Sequence, residues 1–383
     1  MSDIGPLDLL IIQGSPFCNI NCQYCYLPNR GDKNKISLTI VNKIFERIYQ
    51  SDLVKNDFTV VWHAGEPMAI NENYYSKIFD IINEHTPPNI VVSHSFQTNG
   101  TLLTDKWCSF IKQNKIRIGI SVDGPDFIHD KYRVKRNGKG SHAETMRGIK
   151  LLKEHDIDFH AIAVVTAYSL NYPDKIFNFF LNNNIQRVGF NIEEIEGVNI
   201  TSSIDVTSEI KVKRFFERIF TLQKQNKGKV IVREFESAFQ KIIGSPISSN
   251  NTLETTIPRS HMLNTFGIIS IDINGDFTSF SPELLGQTSP EFNNFILGNV
   301  MRDSFVDVLT KKNYNKISEG INKGVEMCKE TCSYFKVCGG GAPSNKFYET
   351  GTFKSTETIF CKNTIKTPID IVLSDLEKTY SIK

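Results

Sequence analysis

The chain has 383 residues, of which 40% are apolar and 22% charged, enough to bury a sizeable core and too apolar for general disorder. Its formal net charge of +2, with no run of like charges long enough to form a tail, provides no global attraction to nucleic acid or to an anionic membrane surface. No apolar run approaches the length of a bilayer span, and the first residues lack a basic stretch followed by an apolar one, so a cytoplasmic bacterial protein is expected.

From Leu9 to about Asn191, short β-rich runs alternate with longer amphipathic ones, the pattern of repeated βα units on a parallel sheet. Strands are predicted near Leu9 to Ile12, Thr59 to Trp62, Val91 to Gln97, Arg117 to Ser121, His160 to Val165 and Arg187 to Asn191. Helices fit between them, as at Leu38 to Gln50 behind an N-cap at Ser37, Glu72 to Glu84, Asp105 to Gln113 and Ala143 to Glu154. The expected fold class is α/β, with a partial (β/α)6 barrel over residues 1–205 whose chemistry collects at the C-terminal strand ends. Residues 206–255 read as a helical bridge, with two helices between Val206 and Ile243. Residues 256–383 read as a small cysteine-rich domain opened by a hairpin about Asn274-Gly275.

The eight cysteines are bunched, which suits metal ligation in a reducing compartment better than disulfides. Cys18, Cys22 and Cys25 directly follow the first predicted strand. Three thiolates on a four-iron cubane leave one iron open to a further ligand, whereas a structural zinc site wants a fourth Cys or His that the neighbouring sequence does not offer. Cys328, Cys332, Cys338 and Cys361 supply four thiolates, enough to close a cluster, although a zinc ribbon also tolerates their spacing. Cys108 lies in an amphipathic helix and reads as core. His63, His94, His129 and His160 lie beside strand ends or in loops; none is assigned a catalytic role, and His129 is the best placed of them.

The CxxxCxxC run ending in Cys25-Tyr26 resembles the signature of the radical S-adenosylmethionine (SAM) superfamily. Trp62-His63-Ala64-Gly65-Glu66-Pro67 resembles its WHGGEP segment, with Ala64 in place of the first glycine, a departure that adds only a methyl group. Gln97-Thr98-Asn99-Gly100-Thr101 and Ser121-Val122-Asp123-Gly124-Pro125 follow in the family's order, and Arg133 closes the next segment. The resemblance implies a 4Fe-4S cluster on Cys18, Cys22 and Cys25. It implies a SAM pocket formed by Tyr24, Gly65, Glu66, Gln97, Asn99, Ser121 and Arg133, in which Glu66 holds the amino group, Ser121 contacts the ribose and Arg133 approaches the carboxylate.

The second cysteine set resembles the SPASM domain of peptide-modifying members, which implies one auxiliary 4Fe-4S cluster on Cys328, Cys332, Cys338 and Cys361. Counting from the hairpin and from Cys338 places Arg259, Thr265, Phe280 and Ala342 where a full SPASM domain has further cysteines, so its other auxiliary cluster is expected to be absent. Glu283 occupies the segment in which sulfatase-maturating members carry a base, and is the candidate catalytic base. The runs Gly339 to Lys346 and Thr356 to Cys361 resemble a subgroup modifying ribosomal peptides, including enzymes that form three-residue cyclophanes. That resemblance implies hydrogen abstraction from a side-chain β-carbon and attack on an aromatic ring two residues earlier. The partners implied are a ribosomally made precursor peptide, an electron donor such as flavodoxin or ferredoxin, and a separate leader-binding protein if one is used, since the first strand at Leu9 leaves no room for a fused leader-binding domain. Formylglycine formation on sulfatases, thioether formation and a non-catalytic iron-sulfur redox sensor are the rival readings.

Overall fold

The structure is a computed structural model, and it describes residues 4–244 and 260–380. A single sheet organises them. Its strands are β1 (Leu9–Gln13), β2 (Phe58–His63), β3 (Val92–Thr98), β4 (Arg117–Ser121), β5 (Phe159–Val165), β6 (Arg187–Ile192), β7 (Ile231–Val232), β8 (Ile268–Ile271), β9 (Asp276–Ser279) and β10 (Gly298–Asn299). The order across the sheet is β10-β9-β8-β1-β2-β3-β4-β5-β6-β7, with β1 to β8 mutually parallel and β9 antiparallel to both of its neighbours, β8 and β10. The six expected strands are present, and the sheet stays open at β7 and β10.

The boundary drawn from sequence at residue 256 does not coincide with an edge of this sheet. The hairpin β8–β9 joins it, because β8 pairs in parallel with β1, Leu9 opposite Ile268 and Ile12 opposite Ile271. Strand β1 is thus flanked on both sides, and its Leu10, Ile11 and Ile12 are buried, as suits a fully covered parallel strand. The short β7 was too brief to register as a periodic run.

Helices α1 (Leu38–Gln50), α2 (Glu72–His85), α3 (Asp105–Gln113), α4 (Asp126–Tyr132), α5 (His142–Glu154) and α6 (Pro173–Asn182) fill the crossovers. The expected Ser37 cap accepts from the Ile40 N–H, and Asn71 and Thr104 cap α2 and α3 in the same way. Trp62 and Phe96 from the sheet meet Tyr75, Phe79, Trp107 and Phe110 from α2 and α3 in tilted and edge-to-face pairs. Such pairs contribute about 0.5–1.5 kcal/mol each beyond area burial and hold the β2 and β3 ends in register. Cys108 on α3 is fully buried in this layer, as expected of a core residue.

The bridge consists of α7 (Glu209–Gln225) and α8 (Arg233–Ile243), and its last residues fall outside the described residues, as does Arg259. The C-terminal part contains α9 (Lys312–Thr331), α10 (Phe335–Cys338), α11 (Pro343–Thr350) and α12 (Thr367–Tyr380), with a π-helical turn from Cys361 to Lys366 before the last helix. Phe292, Phe295, Phe347 and Phe353 pack together and fix α11 against the segment that follows the hairpin. Among the described residues no helix is long and apolar enough to cross a membrane.

Candidate active site

The loop after β1 carries Cys18, Cys22 and Cys25, and backbone hydrogen bonds hold it: Cys18 N–H donates to Arg30 O, Asn21 N–H to Val134 O and Gln23 N–H to Tyr132 O. All three thiols line a cavity of about 410 Å³ at the C-terminal ends of the sheet strands. Tyr24, Gly65, Glu66, Gln97, Asn99, Ser121, Arg133 and Glu283 line the same cavity, so the structure brings together every residue predicted for the N-terminal site. Gln97 Nε2 donates to Ser121 Oγ at 3.1 Å, and Asn99 Nδ2 points at Cys18 Sγ at 3.8 Å.

The thiols fit a multi-iron body. All are free of disulfides and line one cavity, and burial pushes Cys18 up to about 12 and Cys22 up to about 11, shifts that a bound iron cluster would reverse.

Glu66 is 1% exposed, and its carboxylate accepts from Thr98 Oγ1 at 2.6 Å and from the Asn99 and Met68 N–H groups at 2.9 and 3.0 Å. Three donors do not outweigh desolvation, which pushes its pKa up to about 7. A carboxyl raised in this way binds its proton more tightly folded than unfolded, so its contribution is full below pH 4.5 and is lost as pH rises through about 7. Glu66→Gln in the metal-free protein should therefore remove a fall of about 3 kcal/mol between these limits, read from denaturant melts at successive pH values. Parallel pH curves for the two proteins would refute it.

The Ala64 departure has a different cost from the one its methyl suggested. Ala64 has φ +65°, a left-handed conformation that strains any residue with a Cβ by about 1–2 kcal/mol, whereas its methyl finds room. Gly65 is the position that admits no substituent: at φ +141° an added Cβ would lie 2.1 Å from Ser15 O in the cysteine loop. Gly65→Ala is expected to displace that loop and weaken SAM binding by about tenfold or more in calorimetry on the iron-loaded protein. Unchanged affinity would show that the close approach is dispensable.

Asp123 was present in the sequence motif without a role, and it proves to be a hub. Its carboxylate accepts from Arg133 Nε at 3.0 Å, from the Val164 N–H at 2.9 Å and from the Tyr24 hydroxyl, while the Arg133 guanidinium lies 5.3 Å from the Tyr24 ring centre. Arg133 is 7% exposed, and Nη1 points toward Cys22 Sγ at 3.8 Å. Its Nε is spent on Asp123, so only the terminal nitrogens remain for a ligand carboxylate. His129 lies outside the cavity lining, fully buried, its Nε2 against Ser141 Oγ and its Nδ1 against the Asp123 N–H; burial pushes its pKa well down. It acts as a neutral brace for Asp123. His94 stacks on Phe79 in the aromatic layer.

Cys328, Cys332, Cys338 and Cys361 line a second cavity of about 260 Å³. Lys346, 4% exposed, points its Nζ at Cys328 Sγ at 3.3 Å and donates to Gly324 O at 3.0 Å. A buried ammonium between a carbonyl and a sulfur needs negative charge nearby, which a thiolate-bound cluster would provide. Of the positions where further cysteines were sought, Thr265 bonds Tyr314, Phe280 is core, and Ala342 borders this cavity. The two cavities share walls. Ser344 and Asn345 face the first while Lys346 faces the second, and Phe360 and Thr364 face the first while Cys361 and Lys366 face the second.

Sequence reasoning missed Glu194 and Glu196, which follow β6 and line the first cavity. Burial raises all three carboxyls, and repulsion from Glu283 raises Glu194 and Glu196 further. Glu283 Oε2 is buried with no hydrogen-bond partner. The signal available in the sequence was position: a run of glutamates directly after a strand, at the end of the sheet where catalytic groups collect.

Residues 12–180 form a radical SAM superfamily domain. The chain is an enzyme that uses SAM and iron-sulfur clusters. It is 41% identical, over 100% of its own length and 95% of the relative's, to an uncharacterized protein of Synechocystis. A serine-type anaerobic sulfatase-maturating enzyme of Bacteroides thetaiotaomicron is 26% identical over 93% of the chain and 87% of the relative. Among solved structures, anSMEcpe with bound AdoMet superposes with a TM-score of 0.75 at 20% identity, covering 99% of this chain and 100% of that one. Streptococcus suis SuiB bound to the precursor peptide SuiA gives a TM-score of 0.64 at 18% identity, covering 94% and 76%.

Proposed function

We propose that this protein is a peptide maturase that joins the β-carbon of one side chain to an aromatic ring two residues earlier in a ribosomally made precursor. The observation that carries this reading is the buried, unpartnered Glu283 Oε2 in the same cavity as the three-cysteine loop, with the four-cysteine cavity directly behind the shared wall. When bound, SAM on the N-terminal cluster supplies a hydrogen-abstracting 5′-deoxyadenosyl radical and the C-terminal cluster an electron acceptor.

The chain's own residues do the rest. Gly65, Glu66, Gln97, Asn99 and Ser121 would seat SAM, with Tyr24 and Arg133 beside them, and Cys18, Cys22 and Cys25 would hold its cluster. The apolar cavity wall, Ile162, Val164 and Ile192 among it, keeps water from a carbon radical. Forming the crosslink removes two hydrogens from the substrate, one as an atom and one as a proton with its electron. Glu283 accepts that proton from the ring carbon, and desolvation has already raised its proton affinity toward the working pH.

The precursor-peptide complex of SuiB and the name of the Bacteroides relative both support a peptide or protein as the substrate class. The latter also keeps formylglycine formation as a second reading. Co-expression with a peptide encoded beside the enzyme, followed by tandem mass spectrometry, separates the two. A crosslink resists fragmentation between the linked residues, whereas an aldehyde at Ser or Cys leaves every backbone cleavage intact and reacts with hydrazine probes. The aldehyde result would overturn the crosslinking proposal.

A further inference from the structure

The first cavity has more carboxyl groups than SAM seating or a single base accounts for. Glu194 and Glu196 come from the segment after β6, Glu283 from the turn after β9, and Ser344 from the start of α11; all four line the cavity. Among the described residues none of the three carboxylates forms an ion pair. The cations that line the cavity are committed elsewhere: Arg30 to Cys22 O, Arg133 to Asp123, and Arg233 to Asn191 and Glu234. His63, the remaining titratable nitrogen group there, is driven down to about 4 by burial and stays neutral.

Glu194 has one donor, Asn345 Nδ2. Ser344 is 1% exposed, and its Oγ lies beside the Glu283 carboxyl. Three buried carboxyl groups without counter-charge ionise only at a cost, and a ligand bringing both positive charge and N–H donors removes that cost.

We propose that Glu194, Glu196, Glu283 and Ser344 form a socket for the ammonium or guanidinium group of a lysine or arginine side chain in the substrate peptide. This rests on the peptide-maturase reading above. Three carboxyl groups from two segments of the chain match the several N–H donors of either cation. A cation there also holds Glu283 ionised, so the base becomes competent when the cationic substrate is seated.

The test uses the full-length, iron-loaded protein with SAM and fluorescein-labelled, N-acetylated, C-amidated Gly/Ser peptides. Each carries one Trp and, two residues later, Lys, Arg, norleucine or Glu, and binding is followed by anisotropy. The Lys and Arg peptides should bind about tenfold or more tightly than the norleucine peptide. In Glu194→Gln/Glu196→Gln that preference should fall to about twofold or less; iron content and SAM affinity verify that the variant is folded. Should the double variant fail to load iron, Glu196→Gln alone is read in the same way.

Equal binding of the Lys and norleucine peptides would overturn the socket while leaving the peptide reading intact. So would a preference that survives in the variant, or a variant that loses SAM affinity alone. Failure of every peptide to bind would overturn the peptide reading and the socket with it.

Discussion

Glu283→Gln should lower crosslinked product by about 10²–10⁴-fold, the range expected for loss of a positioned general base. The amide preserves the shape of the carboxyl and cannot take a proton, so 5′-deoxyadenosine should still form while the substrate radical fails to progress to a ring-closed product. Parallel chromatography of 5′-deoxyadenosine and mass analysis of the peptide give the two readings from one reaction. Glu283→Asp, which withdraws the carboxyl by one methylene, should recover part of the product. Full product formation by the Gln variant would remove Glu283 from the chemistry, and loss of SAM cleavage as well would point to a role in seating the substrate.

The second large effect concerns stability. Asp123→Asn should cost about 3–5 kcal/mol in denaturant melts of the metal-free protein, because it leaves Arg133 buried without its counter-charge. The asparagine oxygen cannot serve Arg133 Nε, the Val164 N–H and the Tyr24 hydroxyl as the two carboxylate oxygens do, and its amide nitrogen would face a donor. Iron loading should suffer too, since Tyr24 lies inside the cysteine loop and Arg133 points at Cys22. A loss below about 1 kcal/mol would mean that Arg133 turns to water or that Asp123 is replaceable.

What could be foreseen depended on whether it was encoded locally. Cys18, Cys22 and Cys25 lie within one loop, and Gly65, Asn99 and Ser121 each close a strand, so spacing and strand order sufficed to place them around one cavity. The four C-terminal cysteines were legible for the same reason, even though Cys361 heads a π-helical turn that no periodicity announces. Glu194 and Glu196 were not legible, because glutamates after a strand read as solvated loop until a distant α11 and the turn at Glu283 enclose them. Asp123 was visible as a letter in a motif, but its hub role needs Tyr24, Arg133 and Val164 to converge from separate parts of the chain. The strand pairing of β8 with β1 was hidden too: a hairpin signal states that two neighbours pair, not which remote edge they will join.

That pairing has a consequence for synthesis and for engineering. Leu9 leaves the ribosome long before Ile268, so one side of an early, strongly apolar strand must wait uncovered until the C-terminal hairpin arrives. A protein cut back to the barrel helices would keep that side bare permanently and present a row of unpaired backbone groups to any neighbouring copy. Expressing the barrel without its C-terminal third should yield insoluble material; adding the hairpin back as a separate piece is the rescue its hydrogen bonds predict.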